Sequence, residues 1–64
     1  MEYNGRNEIL TVDDVCDWLS TSKNIIYELL RSNEIKGFKI TRVWKISRIS
    51  VEEYIERKRQ EGYL

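Results

Sequence analysis

Apolar residues at helical spacing predict a first helix directly after Thr11. Thr11 is a favourable N-cap, and Asp14 three residues later completes a pattern like a capping box. The following positions recur at the i, i+3, i+4, i+7 spacing that marks the buried face of an amphipathic helix: Val12, Val15, Cys16 and Leu19. On this pattern Cys16 is a small core residue.

A second helix is predicted over the stretch KNIIYELLRS, where Ser22 is positioned as the N-cap. Its buried face is expected to carry Ile26, Leu29, Leu30 and Asn33. Ile25 stands out because it is an apolar residue at the edge of the face that should be solvated. Two short helices joined by a turn of three or four residues are typical of a helix-turn-helix, and Cys16 is small enough to let the helices pack closely.

Residues 35–46 change to the period of two that predicts β-strands. The alternation places four apolar residues on the core side of a hairpin: Phe38, Ile40, Trp44 and Ile46. This register sets Lys39 directly opposite Lys45 and leaves the three-residue loop Thr41-Arg42-Val43. Such loops favour a positive φ at their last position, which a β-branched Val resists, so the geometry of the tip stays open.

A third helix is predicted from a capping box formed by Ser50 and Glu53. Its inner face is expected to hold Val51, Tyr54, Ile55 and the stem of Lys58. The elements indicate an α+β protein in the order helix, helix, β-hairpin, helix. Residues 1–9 are expected to form a flexible N-terminal arm, residues 10–60 the domain, and residues 61–64 a C-terminal tail.

Composition excludes several classes of function. Sixty-four residues make one small domain, and no apolar run approaches the ~18 residues of a membrane span. With one Cys and no His, an internal disulfide is impossible and a structural zinc site is effectively excluded. Without His, acid–base catalysis would depend on carboxylates, Lys or Tyr in a chain with little interior. We therefore expect a cytoplasmic protein that is not an enzyme and holds no metal or cofactor.

The net charge of zero conceals a separation of charge along the chain. Residues 1–34 carry three basic and seven acidic side chains, whereas residues 35–64 carry eight basic and four acidic ones. The stretch KGFKITRVWKISR holds five bases and no acid. Such separation favours an anionic partner for one face, and a phosphate would relieve repulsion between Lys39 and Lys45. The alternative is that these lysines only protect a sheet edge from aggregation.

From Ile9 to Arg57 the chain resembles the excisionase-type winged helix-turn-helix family, a relative of MerR-type DNA-binding domains. The resemblance is carried by LTVDDV, by SKNIIY, and by FKI and WKI followed by a third helix that contains an aromatic residue. It implies a winged helix-turn-helix fold with the second helix as recognition helix and the hairpin as wing. It also implies proteins without catalytic activity that bind repeated sites on mobile-element or prophage DNA, bend the DNA, and help a recombinase to favour excision.

The resemblance assigns DNA contacts position by position. On the recognition helix these are Ser22, Lys23, Asn24, Ile25, Tyr27 and Arg31. On the wing they are Lys39, Thr41, Arg42 and Lys45, with Lys36 and Arg48 expected at flanking phosphates. The chain departs from the family at the wing tip, where glycines are usual, and at Ser47, where Pro is common.

Two roles are open for several of these residues. Asn24 suits bidentate hydrogen bonds to adenine, or it satisfies its own backbone. Ile25 contacts a thymine methyl group or packs against the N-terminal arm. Tyr27 donates to a phosphate or flanks the core, and Glu28 repels phosphate unless it accepts from cytosine. We expect both indoles, Trp18 and Trp44, in the core rather than as base-stacking platforms.

The expected partners are double-stranded DNA, further copies bound cooperatively on it, and an integrase. The family also includes small repressors and phage DNA-packaging subunits, and a stand-alone transcriptional repressor would share every feature above. A protein-interaction adaptor that does not bind DNA is the second alternative. Salt dependence of DNA binding separates the adaptor from the other two functions.

Overall fold

The computed structural model describes residues 8–62 of the chain. In this part the elements are β1 (Ile9–Leu10), α1 (Val12–Leu19), α2 (Lys23–Arg31), β2 (Gly37–Ile40), β3 (Val43–Ser47) and α3 (Arg48–Gly62). The strands form one antiparallel sheet in the order β1-β3-β2. The arrangement confirms a small α+β domain of winged helix-turn-helix type. No helix within residues 8–62 is long and apolar enough to cross a membrane.

The caps of α1 and α2 confirm the two helix starts predicted from the sequence. The Thr11 N–H donates to Asp14 Oδ2, and the Asp14 N–H donates to Thr11 Oγ1, each at 3.1 Å. Ser22 Oγ accepts the N–H of Ile25. Between the helices Ser20 adopts a left-handed conformation, with φ of 54°, which ends α1 and turns the chain toward α2.

Every element except β2 supplies a buried residue to the core, as does the segment between α2 and β2. The buried apolar residues are Leu10, Val12, Val15, Ile26, Leu30, Ile35, Ile46 and Val51. Cys16 and Leu19 are half-buried against this cluster, so the predicted inner face of α1 is confirmed. Asn33 is different from prediction. It lies beyond the end of α2, exposed and with φ of 64°, where it helps to turn the chain toward buried Ile35.

The predicted register of the hairpin is wrong by one residue. The Cα partners are Gly37–Ile46, Phe38–Lys45, Lys39–Trp44 and Ile40–Val43. The loop is therefore the two-residue turn Thr41-Arg42, and the positive φ, 62°, falls on Thr41. Because partners across an antiparallel pair share a face, this one-residue difference exchanges the faces of β2.

The exchanged faces change which apolar residues are buried. Ile46 is buried and Trp44 is half-buried on the face toward the helices. Phe38 and Ile40 lie on the outer face and are 50% and 55% exposed. The expectation that both belong to the core is wrong, since the two-residue turn and the fit of Gly37 opposite Ile46 determine the register.

Strand β1 was not expected from the sequence. Ile9 pairs with Ser47 and Leu10 with Ile46, and the Arg48 N–H donates to the carbonyl of Glu8 at 2.9 Å. Glu8 and Ile9, assigned above to a flexible arm, are thus hydrogen-bonded to the domain. The remainder of that arm, residues 1–7, lies outside the described residues.

Helix α3 begins earlier than its sequence pattern indicates. Ser47 Oγ accepts the N–H of Ser50 at 3.1 Å, so the capping role predicted for Ser50 belongs to Ser47. Ser50 lies buried in the first turn, and its Oγ accepts the N–H of Lys36 at 2.6 Å. At the other end α3 includes Glu61 and Gly62 of the predicted tail, and residues 63–64 lie outside the described part.

Gly37→Ala is expected to lower the free energy of unfolding by about 1–3 kcal/mol. A Cβ at Gly37 would lie 2.9 Å from the carbonyl oxygen of Lys45 and 3.0 Å from Leu30 Cδ2, so backbone or core must move. Urea unfolding followed by circular dichroism measures the change. Gly62→Ala is the matched control, since its Cβ would meet no atom within 4 Å, and we expect unchanged or slightly higher stability. Equal midpoints for the two variants would contradict the close approach.

Candidate nucleic-acid interface

Helix α2 and the β2–β3 hairpin flank an open cleft on one side of the domain. The cleft has a volume of about 320 Å³ and is lined by Tyr27, Arg31, Lys39, Arg42 and Trp44. We call it the α2–wing cleft. A second depression of about 320 Å³ shares Tyr27, Arg42 and Trp44 with it and extends to Asp13 and Lys23. Together they form a continuous surface from the start of α2 to the tip of the wing.

Helical spacing determines which α2 side chains face the wing. Lys23, Tyr27 and Arg31 are four residues apart and so lie along one side of the helix, where they line these two depressions. Asn24 and Glu28, one turn apart, are exposed on the side away from the buried core. The helix therefore presents a polar outer edge beside a basic and aromatic flank.

Ile25 and Ser22 lie away from the α2–wing cleft. Ile25 is 43% exposed and lines a groove of about 460 Å³ between α2 and α3. The other apolar residues of that groove are Leu19, Leu29, Tyr54 and Ile55. Ser22 accepts a hydrogen bond as the N-cap of α2, so its side-chain oxygen positions the helix.

The wing residues divide between the two faces of the sheet. Lys39 lies on the inner face, where its Nζ is 5.4 Å from the centre of the Trp44 ring. Arg42 is exposed at the tip beside Thr41 and lines both depressions. Lys45 pairs with Phe38 on the outer face. The expected pairing of Lys39 with Lys45 is therefore wrong, because the observed register places these lysines on opposite faces.

Arg48 is engaged by neighbouring side chains. It makes ion pairs with Glu8 at 3.2 Å and Glu52 at 3.3 Å, and its guanidinium is 5.3 Å from the centre of the Trp18 ring. Trp18, expected in the core, is 38% exposed and supports this contact from α1. These interactions fasten β1 to the start of α3. Lys36 is exposed, and its backbone is fixed by Ser50.

Lys23 is held at the start of α2 by Asp13 of α1. The Nζ–Oδ1 distance is 3.2 Å, and both side chains are well exposed. The hydrogen bond from Lys23 to Asp13, together with the negative charge of that carboxylate, raises the pKa of Lys23 above its ordinary value. A phosphate that binds Lys23 must therefore compete with Asp13.

The cleft collects basic side chains that lack an acidic partner. Within residues 8–62, ion pairs at 4 Å or less involve Lys23, Arg48, Lys58 and Arg59. In the same part of the chain Arg31, Lys39 and Arg42 have no carboxylate within that distance. These three line the α2–wing cleft, so its charge is available to an anion.

The described residues offer no arrangement suited to metal binding or thiol chemistry. No group of three or more His, Cys, Asp or Glu side chains among them is placed to hold a metal ion. Burial, with Asp13 as the next cause, raises the pKa of the Cys16 thiol. The thiol is therefore protonated at neutral pH and behaves as a core residue.

Comparison with known families identifies the domain. A family model described as a helix-turn-helix domain matches residues 9–59. The chain belongs to the helix-turn-helix domain family. Searches of curated proteins and of solved structures gave no match. Helix-turn-helix domains place their second helix in the major groove while the first crosses the backbone, which supports double-stranded DNA as the partner.

Membership of the helix-turn-helix family indicates which side of the domain would face DNA. The matched region contains α1, the turn at Ser20, α2 and the whole wing. As the second helix of the motif, α2 would present Asn24 and Glu28 to base edges. The cleft beside α2 is lined by Arg31 and Lys39, so it is positively charged along that side of the helix. Sequence patterns did not reveal the contact of Lys39 with Trp44, because it depends on the register of the hairpin.

Lys39→Ala is expected to weaken binding to all duplexes alike and to reduce the steepness of log K against log[salt] by about 0.9, the value of one phosphate contact. Fluorescence anisotropy with a labelled duplex at several salt concentrations measures this. Lys45→Ala removes the same charge from the outer face and is the matched control, with a smaller expected change. Equal losses for the two variants would contradict the assignment of phosphates to the cleft.

Proposed function

We propose that this protein is an excisionase, a sequence-specific DNA-binding protein that binds and bends mobile-element or prophage DNA and promotes excision with an integrase. The observation that carries the DNA-binding part is the α2–wing cleft, in which Arg31, Lys39 and Arg42 have no acidic partner within the described residues. The resemblance to excisionases supports the more specific role. The proposal includes no catalytic step and no cofactor.

The arrangement of α2 beside the wing suits contacts with two adjacent grooves of a duplex. A major groove about 12 Å wide admits an α-helix, and α2 is exposed along Asn24 and Glu28. With α2 in that groove, the neighbouring backbone lies in the α2–wing cleft between Arg31 and Lys39. The wing tip then reaches the next minor groove, where Arg42 gains from the negative potential.

Cooperative binding of several copies follows from the small size of the interface. One α2 offers few side chains to base edges, and each correct base pair contributes only about 1–3 kcal/mol of discrimination. A single domain therefore selects weakly among genomic sites. Adjacent copies on repeated sites multiply this selectivity, since DNA raises the effective concentration of each copy beside the next. Repeated occupation of this kind also adds together the bends that single copies make at their own sites.

Asn24→Ala is expected to relax preference at one or two base pairs, with a loss of about 1–3 kcal/mol confined to the best sites. The physical reason is that Asn24 lies exposed on α2, away from the wing. Selection of binding sites from random duplexes, compared between wild type and variant, measures the effect. A uniform loss of affinity over all sequences would show instead that Asn24 contacts the DNA backbone or stabilises the start of α2.

The excisionase role is tested by footprinting and by an excision assay. We expect protection of several adjacent sites in the DNA beside the protein's own gene, and reduced excision of that element when Lys39 and Arg42 are replaced by Ala. Excision that is unchanged while a neighbouring promoter is released from repression would identify a transcriptional repressor. Binding through three to four phosphates predicts a slope of log K against log[salt] of roughly −3 to −4. A flat response would identify an adaptor that does not act on DNA.

A further inference from the structure

The outer face of the sheet is unusually apolar for so small a domain. The register places Ile9, Phe38, Ile40 and Val43 on this face, and each is between 48% and 55% exposed. Two of them, Ile40 and Val43, are cross-strand partners and form the last pair before the Thr41-Arg42 turn. The wing thus ends in an apolar pair beside a guanidinium.

We propose that Ile40 and Val43 form an apolar wedge that enters the minor groove and produces the bend in the DNA. The inference rests on the proposed function, because it assigns the bending of the bound duplex to two named side chains. Apolar side chains that enter the minor groove separate base steps and kink the duplex toward the major groove. Ile40 and Val43 would therefore contact the floor of a minor groove and the sugars that line it.

The position of the wedge follows from its continuity with the DNA-binding surface. Val43 lines the depression that also contains Lys23, Tyr27 and Arg42, so the apolar pair borders the surface already assigned to DNA. A duplex presents a major groove, a backbone and a minor groove in succession. If α2 occupies the first and the α2–wing cleft receives the second, the wing tip falls over the third.

Charge favours DNA over a second protein at this tip. Arg42 is exposed between Ile40 and Val43 in the chain, and Lys39 lies on the inner face directly before Ile40. Within residues 8–62 neither of these two basic side chains has a carboxylate within 4 Å. Two basic side chains without acidic partners, placed around two apolar ones, match a minor groove with phosphates at its edges and an apolar lining of sugars.

The side chains of the wedge have few rotamers. Ile40 and Val43 are both β-branched, so their χ1 rotamers are restricted, and their Cβ atoms lie about 5 Å apart across the strands. Trp44, which follows Val43, is half-buried on the inner face and in contact with Lys39. Ile40 and Val43 therefore lose little side-chain entropy when they enter a groove.

The double variant Ile40→Thr/Val43→Thr tests the wedge. Thr keeps the β-branched shape and the strand preference but replaces apolar surface with a hydroxyl. The matched control is Phe38→Thr, on the same face two residues further from the tip and equally exposed. Circular dichroism and urea unfolding verify that all the proteins are folded. The probe is a duplex selected from random sequence by the wild-type protein and labelled with a donor and an acceptor dye at its ends.

Energy transfer between the dyes measures the bend, and anisotropy of the same duplex measures affinity. For the wild type we expect a bend within the ~20–90° range of minor-groove wedges. The double variant should lose roughly half of that angle or more, with an affinity loss of less than about tenfold, while Phe38→Thr bends like the wild type. A salt slope equal to that of the wild type would show that phosphate contacts are intact.

Three results would overturn the inference. An unchanged bend in the double variant would reject the role of Ile40 and Val43 in bending. Binding by the wild type without any bend would reject it as well. Equal losses of bend in Phe38→Thr and the double variant would assign the whole outer face to contacts between neighbouring copies. In each of these cases duplex binding persists, so the DNA-binding proposal stands. Absence of binding to any duplex at low salt rejects the proposed function and the wedge together.

Discussion

The register of β2 against β3 is the constraint on which the shape of the α2–wing cleft depends. Gly37 lies opposite Ile46, and a Cβ on Gly37 would collide with the Lys45 carbonyl and with Leu30. At the other end Thr41 takes the positive φ of a two-residue turn. A shift by one residue would exchange the faces of a strand. It would remove Lys39 from Trp44 and from the cleft, and it would turn Phe38 and Ile40 toward the helices.

The two ends of the hairpin therefore cooperate with α2 in forming the cleft. Leu30, which packs against Gly37, is on α2, so the contact that restricts the register also links α2 to the start of the hairpin. Strand β1 and Arg48 complete the frame by fixing the far side of β3 to α3.

Local signals made the helices predictable, while the hairpin and the edge strand required long-range contacts. The Thr11–Asp14 box and the Ser22 cap act within a few residues, so sequence patterns found them. The hairpin pattern fits two registers, and the assumption that every large apolar residue is buried selected the wrong one. Strand β1 has only two residues, which is too short to show the alternation of apolar and polar residues that predicts a strand. The solvent-facing side of α2 followed from helical spacing, but the placement of Ile25 and Lys45 did not, since each depends on a packed partner.

Burial of apolar surface does not by itself explain the observed register. The alternative register would have placed Phe38 and Ile40 on the face toward the helices, whereas the structure leaves each about half exposed. A chain of 64 residues has few apolar side chains to leave in water, and exposed apolar groups are costly for so small a core. The observed register instead places Gly37 opposite Ile46, where a Cβ would collide with the Lys45 carbonyl and Leu30, and it gives Thr41 the positive φ of a two-residue turn. The fit of the backbone at Gly37 and at Thr41 thus decides the register of β2, even though this register leaves Phe38 and Ile40 half exposed.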